Sequence, residues 1–332
     1  MLPVAALLAV VPQANAQTVK ELFRKVRTSV VVIKTEEVEV SPETDFRPVS
    51  LESIGSGVLI DSRRVLTAAH VVEVATNVVV QFYDGTEVRA SVLSSSVPED
   101  IALLELERAQ PQMAAATIGD SALMEVGDPL VIVGAPFGLG FSVAPGILSG
   151  RYLPPRVTSD LYPVEYLQTD AKVNQGNSGG PLFDMQGRVM GIVSSILTTT
   201  GGYEGVAFAV PVSTAKRLLW DKHHHWLGAD GLRLSPKLAG LLHVVQKDAI
   251  LVQQVVPNSP AARAGVRPST ISATVGEDAI KLGGDVILSI GGVRTDQRDF
   301  LRRARQELSM PGKEVEMVVQ REGKAVKLLL RP

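Results

Sequence analysis

The sequence predicts a mostly β chain: paired antiparallel barrels followed by a small α+β unit. Three observations lead there. Short apolar runs recur between turn signals from Val30 to Val210 without alternating helices, which favours antiparallel barrels over a parallel sheet. A composition of 29 glycines and 5% aromatic residues suits a fold rich in turns. Beyond residue 228 the pattern changes to strands flanking two helix signals.

Taken in order, the apolar run Leu2 to Val11 ends in Pro12-Gln13-Ala14-Asn15-Ala16, an Ala-x-Ala pattern that reads as a signal-peptidase site. Residues 1–16 are therefore expected to be a signal peptide, with a buried N-terminal helix as the alternative because no positive charge precedes the run. Val19 to Arg27 has helical spacing, Val30 to Val40 reads as a strand, and residues 41–53, with two prolines, read as a loop. Gly55 to His70 reads as a hairpin turning at Asp61 to Arg64, and Asp84-Gly85 turns a second hairpin. Strands follow at Ile101 to Leu106, Leu130 to Val133, Ile147 to Leu153, Tyr166 to Thr169, Pro181 to Phe183, Val189 to Ser194 and Val206 to Val210. A helix from Ser213 to Trp220, capped by Ser213, closes this body. The polar cluster at 221–227 marks a linker. In the last unit, helices are expected from Ala261 to Ala264 and from Gln297 to Leu308, the second started by Asp296 and presenting Phe300, Leu301, Ala304 and Leu308 on one face.

Composition removes several classes of function. The chain has no cysteine, so a thiol nucleophile is excluded and stability must come from packing. A net charge of −2 without a basic run gives no footing for nucleic-acid binding. His223, His224 and His225 invite a metal reading, but consecutive residues of an extended chain alternate faces and cannot converge on one ion, so a solvated linker is expected, with no metal and no cofactor.

The most informative stretch is Gly176-Asn177-Ser178-Gly179-Gly180-Pro181-Leu182. Glycines around a serine let backbone amides converge beside a hydroxyl, as an oxyanion hole requires. A serine needs a base, and Thr67-Ala68-Ala69-His70 supplies an imidazole; the base needs an orienting carboxylate, and Asp100 opens the apolar run Ile101-Ala102-Leu103-Leu104. The candidate catalytic set is His70, Asp100 and Ser178, with the amides of Gly176 and Ser178 as oxyanion donors. The same pentad satisfies the G-x-S-x-G elbow of α/β hydrolases, but that elbow needs a helix after the serine, where Pro181-Leu182-Phe183 reads as a strand.

In their order and wording, TAAHVV, DIALLEL and TDAKVNQGNSGGPL resemble the trypsin-like serine proteases, and most of all their HtrA/Deg branch. The resemblance implies a double β-barrel protease domain over 17–220, a linker over 221–227 and a PDZ-like domain over 228–332. It implies a serine endopeptidase acting on misfolded or exposed-terminus proteins, periplasmic or otherwise outside the cytoplasm and membrane-associated if the leader is retained, assembled as a homo-oligomer, a trimer, through contacts of the segment within 19–40. Trp226-Leu227-Gly228 falls where a PDZ carboxylate-binding loop belongs, so the amides of Leu227, Gly228 and Ala229 are expected to hold a peptide C-terminus; an interdomain turn is the alternative. Asn177 stands where many relatives have an aspartate that pairs with a newly cut N-terminus, and a neutral amide cannot make that ion pair, so switching by loop ordering is expected. The resemblance also implies an apolar primary pocket lined partly by Gly205 to Phe208; Lys172 either narrows it or extends to solvent. The rival reading of the whole is a chaperone or peptide-binding module whose protease body is held inactive.

Overall fold

The computed structural model describes residues 18–40, 48–97, 99–135, 140–153, 165–196, 204–220, 226–275, 278–310 and 312–331. The leader reading over 1–16 and the three histidines His223, His224 and His225 lie outside them. Helix α1 (Val19–Val26) starts on a reciprocal cap: the Thr18 hydroxyl accepts from Glu21 N at 3.3 Å and the Glu21 carboxylate accepts from Thr18 N at 2.9 Å. Its apolar face, Leu22 and Val26, joins one buried cluster with Val58, Leu66 and Ile101 on one side and Val131, Phe183 and Val210 on the other. That cluster is the wall shared by two barrels.

The first barrel comprises β1 (Val30–Val40), β2 (Pro48–Leu59), β3 (Arg64–Thr67), β4 (Asn77–Gln81), β5 (Glu87–Ser96) and β6 (Ile101–Leu106), closed in the order β1-β2-β3-β6-β5-β4. Alternation fills its interior, as in β4, where Val78 and Val80 point inward among Ile33, Leu59, Phe82 and Leu104. The loop expected over 41–53 is corrected here: β2 already begins at Pro48, because each residue of the long β1 pairs across to it as far as Val40 opposite Pro48. A proline fits as a strand's first residue, where its missing N–H costs no ladder bond. A helical turn, α2 (Ala69–Val72), follows β3.

The second barrel contains β7 (Thr117–Ile118), β8 (Pro129–Gly134), β9 (Ser142–Tyr152), β10 (Tyr166–Thr169), β11 (Pro181–Asp184), β12 (Arg188–Ile196) and β13 (Ala207–Pro211). Six of them run β11-β8-β9-β10-β13-β12 and close through β11 against β12, while β7 adds to β12 in parallel. Two six-stranded antiparallel barrels are thus present, the fold class the sequence predicts. Helix α3 (Val212–Ala215) continues as a wider turn over Lys216–Trp220. Ser213 is not its cap: the helix starts one residue earlier after Pro211, and the Ser213 hydroxyl shares a 2.9 Å hydrogen bond with that of Ser121.

In the last unit β14 (Ala229–Arg233), β15 (Ile250–Val255), β18 (Val286–Ile290), β20 (Val315–Arg321) and β21 (Lys324–Leu330) form a sheet in that order, β19 (Val293–Arg294) pairs with β18, and β16 (Ile271–Val275) and β17 (Asp278–Leu282) make a separate hairpin. Its helices are α4 (Pro236–Leu241), α5 (Pro260–Arg263) and α6 (Phe300–Leu308). Helix α6 starts later than expected, at Phe300, because the Asp296 carboxylate is taken by Arg294 at 2.6 and 3.0 Å rather than by a helix N-terminus. Phe300, Ala304 and Leu308 are buried, with Val252 and Val319 in the same core.

Between the barrels the approach is backbone to backbone. Gly179 has a φ of +80°, and a Cβ there would lie 2.1 Å from Thr67 Oγ1 and 2.3 Å from Ser56 O. Gly179→Ala combines left-handed strain of about 1–3 kcal/mol with overpacking of similar size. We expect chemical denaturation to register a loss of roughly 3 kcal/mol or more, whereas a loss under about 1 kcal/mol would mean that the seam yields.

Candidate active site

Strand β3 delivers Thr67 to the seam and α2 then turns His70 toward it, so the histidine stands on a helical turn rather than at a strand end. Asp100 ends the turn before β6 in the left-handed region, φ +52°, a conformation that aspartate tolerates better than most residues and that clusters at functional sites. His70 Nδ1 lies 2.9 Å from both Asp100 oxygens, and His70 N donates to Oδ1 at 3.0 Å. The ring and backbone of the histidine are thus held by one carboxylate, and with Nδ1 as the donor Nε2 is left as the basic nitrogen. From the second barrel, Ser194 Oγ donates to Asp100 Oδ2 at 2.5 Å.

Burial works against a charged imidazole, yet the Asp100 hydrogen bond and charge outweigh it and hold the pKa of His70 above its ordinary value. Burial likewise opposes the Asp100 anion, but hydrogen bonds from His70 and Ser194 bring its pKa below the usual aspartate value. The pair therefore stores a basic imidazole against a firmly ionised carboxylate.

Ser178 is tied to this seam by its carbonyl, which accepts from Ser56 N at 2.8 Å. Hydrogen bonds around it show which amides are occupied. Asn177 N donates to Asn174 O at 3.0 Å and Gly180 N to Asn177 O at 2.9 Å, whereas the amides of Gly176, at φ +95°, and Ser178 donate to nothing among the described residues. Two free donors flank one occupied donor, the pattern needed to receive a developing oxyanion. Among the described residues the Ser178 hydroxyl makes no hydrogen bond to His70, a relaxation common in hydrolases without substrate. Asn177 is buried with Oδ1 unpartnered among the described residues, pressed toward Gly134. Lys172 is exposed.

Sequence reasoning missed the residues that frame this site. Ser194 carries no motif signal of its own. Glu73, one turn after His70, has its pKa pushed up to about 7 by burial and by the charges of Asp230 and Asp100. Glu99, immediately before Asp100, is buried and ion-paired with Arg305 of α6 at 3.2 Å, and the Ser96 hydroxyl also bonds to it. On the other side of the His70–Asp100 pair, Trp226 at the end of the linker donates its Nε1–H to Glu73 O at 3.4 Å.

In the loop before β14, the carbonyls of Leu227 and Gly228 accept from Ala261 N at 3.0 Å and Val256 N at 2.8 Å. Their own amides donate to nothing among the described residues. Gly228 has φ +66°, and a Cβ on it would strike Ser259 Cβ at 2.2 Å. Ala229 opens β14, which is the edge strand of its sheet. Among the described residues no group of three or more acidic or histidine side chains could hold a metal ion, and no helix is long and apolar enough to cross a membrane.

Residues 55–192 match the trypsin-like peptidase domain family and residues 239–330 the PDZ domain family, which defines the class: a trypsin-like peptidase body joined to a PDZ domain. The chain is 35% identical over 280 residues to the probable periplasmic serine endoprotease DegP-like of Halomonas elongata, aligning 82% of itself with 54% of that protein. It is 35% identical over 285 residues to the periplasmic serine endoprotease DegP of Salmonella typhimurium, aligning 82% of itself with 55% of that protein. It therefore spans about half the length of these relatives. A solved structure of the HtrA-type protease AlgW with decapeptide superposes with a TM-score of 0.51 at 30% identity, covering 94% of this chain and 98% of that one; the same protease with tripeptide gives 0.52 at 29%, covering 94% and 96%. The chain belongs to the HtrA family of trypsin-like serine proteases with a C-terminal PDZ domain.

The Glu73 site carries a pH signature. Its folded pKa, about 7, lies above the ordinary 4.5, so the native state holds this proton more tightly, and the associated stability is present below about 4.5 and lost as pH rises through about 7. Glu73→Gln removes that loss. Thermal melts should give the variant a higher midpoint than wild type at about pH 8 and no advantage at about pH 4; an equal gap at both would contradict the assignment.

Proposed function

We propose that this chain is an extracytoplasmic serine endopeptidase of protein quality control, in which Ser178 attacks a peptide carbonyl, His70 takes its proton and returns it to the leaving amine, and Asp100 holds the imidazole. The amides of Gly176 and Ser178 receive the oxyanion. The observation that supports this is the doubly held His70–Asp100 pair on the first barrel, together with a serine segment that carries two free amides and is tied to that barrel by Ser56 N on Ser178 O. Periplasmic action draws on the names of the Halomonas and Salmonella relatives, and misfolded or exposed-terminus proteins are the substrates this reading assigns. A homotrimer belongs to the same reading.

In this reading the PDZ domain selects C-termini: the free amides of Leu227 and Gly228, with Ala229, receive a peptide carboxylate and the edge strand β14 pairs with the residues before it. The complexes of AlgW with peptides support a peptide ligand. Coupling to the protease runs through Arg305 and Glu99. Asn177, unable to form an ion pair with a new N-terminus, supports switching by loop order rather than by zymogen cleavage. The competing reading, a peptide-binding module with an idle protease body, draws on the missing bond between Ser178 and His70.

Turnover separates the two. Ser178→Ala is expected to lower cleavage of a chemically unfolded protein by roughly 10⁴-fold or more while leaving the melting temperature and C-terminal peptide affinity intact, as loss of a triad member does elsewhere. Near-wild-type turnover in that variant, or none in wild type with or without a hydrophobic C-terminal peptide, would overturn the assignment.

Arg305→Ala leaves Glu99 buried and unpaired. The ratio of peptide-stimulated to basal cleavage should fall toward 1 in that variant; an unchanged ratio would remove the pair from the coupling route.

A further inference from the structure

We infer that Ser56 is a positioning residue for the oxyanion-stabilising amides, acting through the carbonyl of Gly176. This rests on the serine-protease reading above and deepens it. Ser56 lies on β2 of the first barrel and is fully buried, with two polar groups engaged across the seam and its carbonyl bonded within its own barrel. Its N–H donates to Ser178 O at 2.8 Å, its hydroxyl donates to Gly176 O at 2.6 Å, and its carbonyl accepts from Thr67 Oγ1 at 2.8 Å. The hydroxyl also accepts from Ala135 N at 2.9 Å.

The direction of the hydroxyl proton follows from valence. A serine hydroxyl has one proton, and a carbonyl can only accept, so that proton must lie on Gly176 O while Ala135 N–H occupies a lone pair. The two bonds together fix the rotor.

The consequence falls on Gly176. The amides of Ser178 and Asn177 have local anchors, since the peptide leading into Ser178 is held by Gly180 N on Asn177 O and Asn177 N is held by Asn174 O. Gly176 has no side chain to resist rotation and adopts φ +95°, where glycine is free to swing. Among the described residues the only hydrogen bond to its carbonyl comes from the Ser56 hydroxyl. That carbonyl shares a planar peptide with Asn177 N, so without the Ser56 hydroxyl the unit keeps one anchor, Asn177 N on Asn174 O, and can pivot about it; the Gly176 N–H then loses its aim at the reacting carbonyl oxygen. Ser56 touches no substrate atom in this account. Through Thr67 it also joins the amide pair to the strand that leads into His70, so base and oxyanion donors share one reference point.

A positioning role separates from a structural one by what it spares. In Ser56→Ala, kcat on a peptide substrate should fall by about 10- to 100-fold, somewhat less than removal of an oxyanion donor costs elsewhere, with KM within about threefold. Affinity for a peptide boronate, whose tetrahedral adduct needs the amides, should fall in parallel, while affinity for the non-covalent product peptide stays within about twofold. Ser56→Cys, close in volume with a weaker donor, should lie between wild type and Ala on both kcat and boronate affinity, and it decides the matter should the alanine variant not fold. Unchanged kcat in the variants, or equal loss of boronate and product-peptide affinity, overturns the inference. Ser178→Ala run alongside keeps the two levels apart: retained cleavage in it means that the serine-protease reading has failed, whereas an inactive Ser178→Ala beside fully active Ser56 variants sinks the positioning role alone.

Discussion

The arrangement depends on one close backbone contact between two barrels. Ser56 N reaches Ser178 O, and Gly179 lies so near Thr67 and Ser56 that no side chain fits between them. That contact sets how far the serine segment of the second barrel stands from the histidine segment of the first. Buried apolar residues from both barrels, from Leu22 and Ile101 to Phe183 and Val210, form a single cluster behind it and keep the seam from sliding. Chemistry that needs three side chains in one crevice can then be assembled from segments far apart in the chain, because a rigid interface rather than a local loop holds them.

Electrostatics follow from the same geometry. Asp100 sits at a strained backbone position, held between an imidazole and the Ser194 hydroxyl, and so stays ionised despite its burial. Its charge raises the basicity of His70 and also reaches Glu73, whose pKa is pushed up first by burial and then by the charges of Asp230 and Asp100. Trp226, at the end of the linker, and Arg305 of the last unit contact the two flanks of this cluster, at Glu73 and Glu99.

Much of this was legible in the sequence, and the parts that were not share a cause. The glycine-flanked serine and the aspartate before an apolar strand announce themselves because the roles proposed for them demand particular residue types at short spacing. The start of β2 was misread because prolines signal a loop locally, whereas the pairing of β1 with β2 is a tertiary decision. The expected caps Ser213 and Asp296 failed for a similar reason: each found a stronger partner, Ser121 and Arg294, that no local pattern records. Glu99 and Arg305 are 206 positions apart, and Ser56 acts through atoms 120 positions away. Contacts of that kind appear only when the chain is folded. Lys172 was open between a pocket wall and solvent, and its exposure favours solvent.

The central claim is that Ser178 is a hydroxyl activated by a basic His70. The direct measurement is the rate of covalent labelling by a fluorophosphonate across pH, with the modified residue located by mass spectrometry. The account predicts a single adduct on Ser178, forming at a rate that rises through a midpoint above the ordinary histidine value of 6.5, where His70 loses its proton. Labelling spread over other residues, or a rate at Ser178 that does not change with pH, would contradict it.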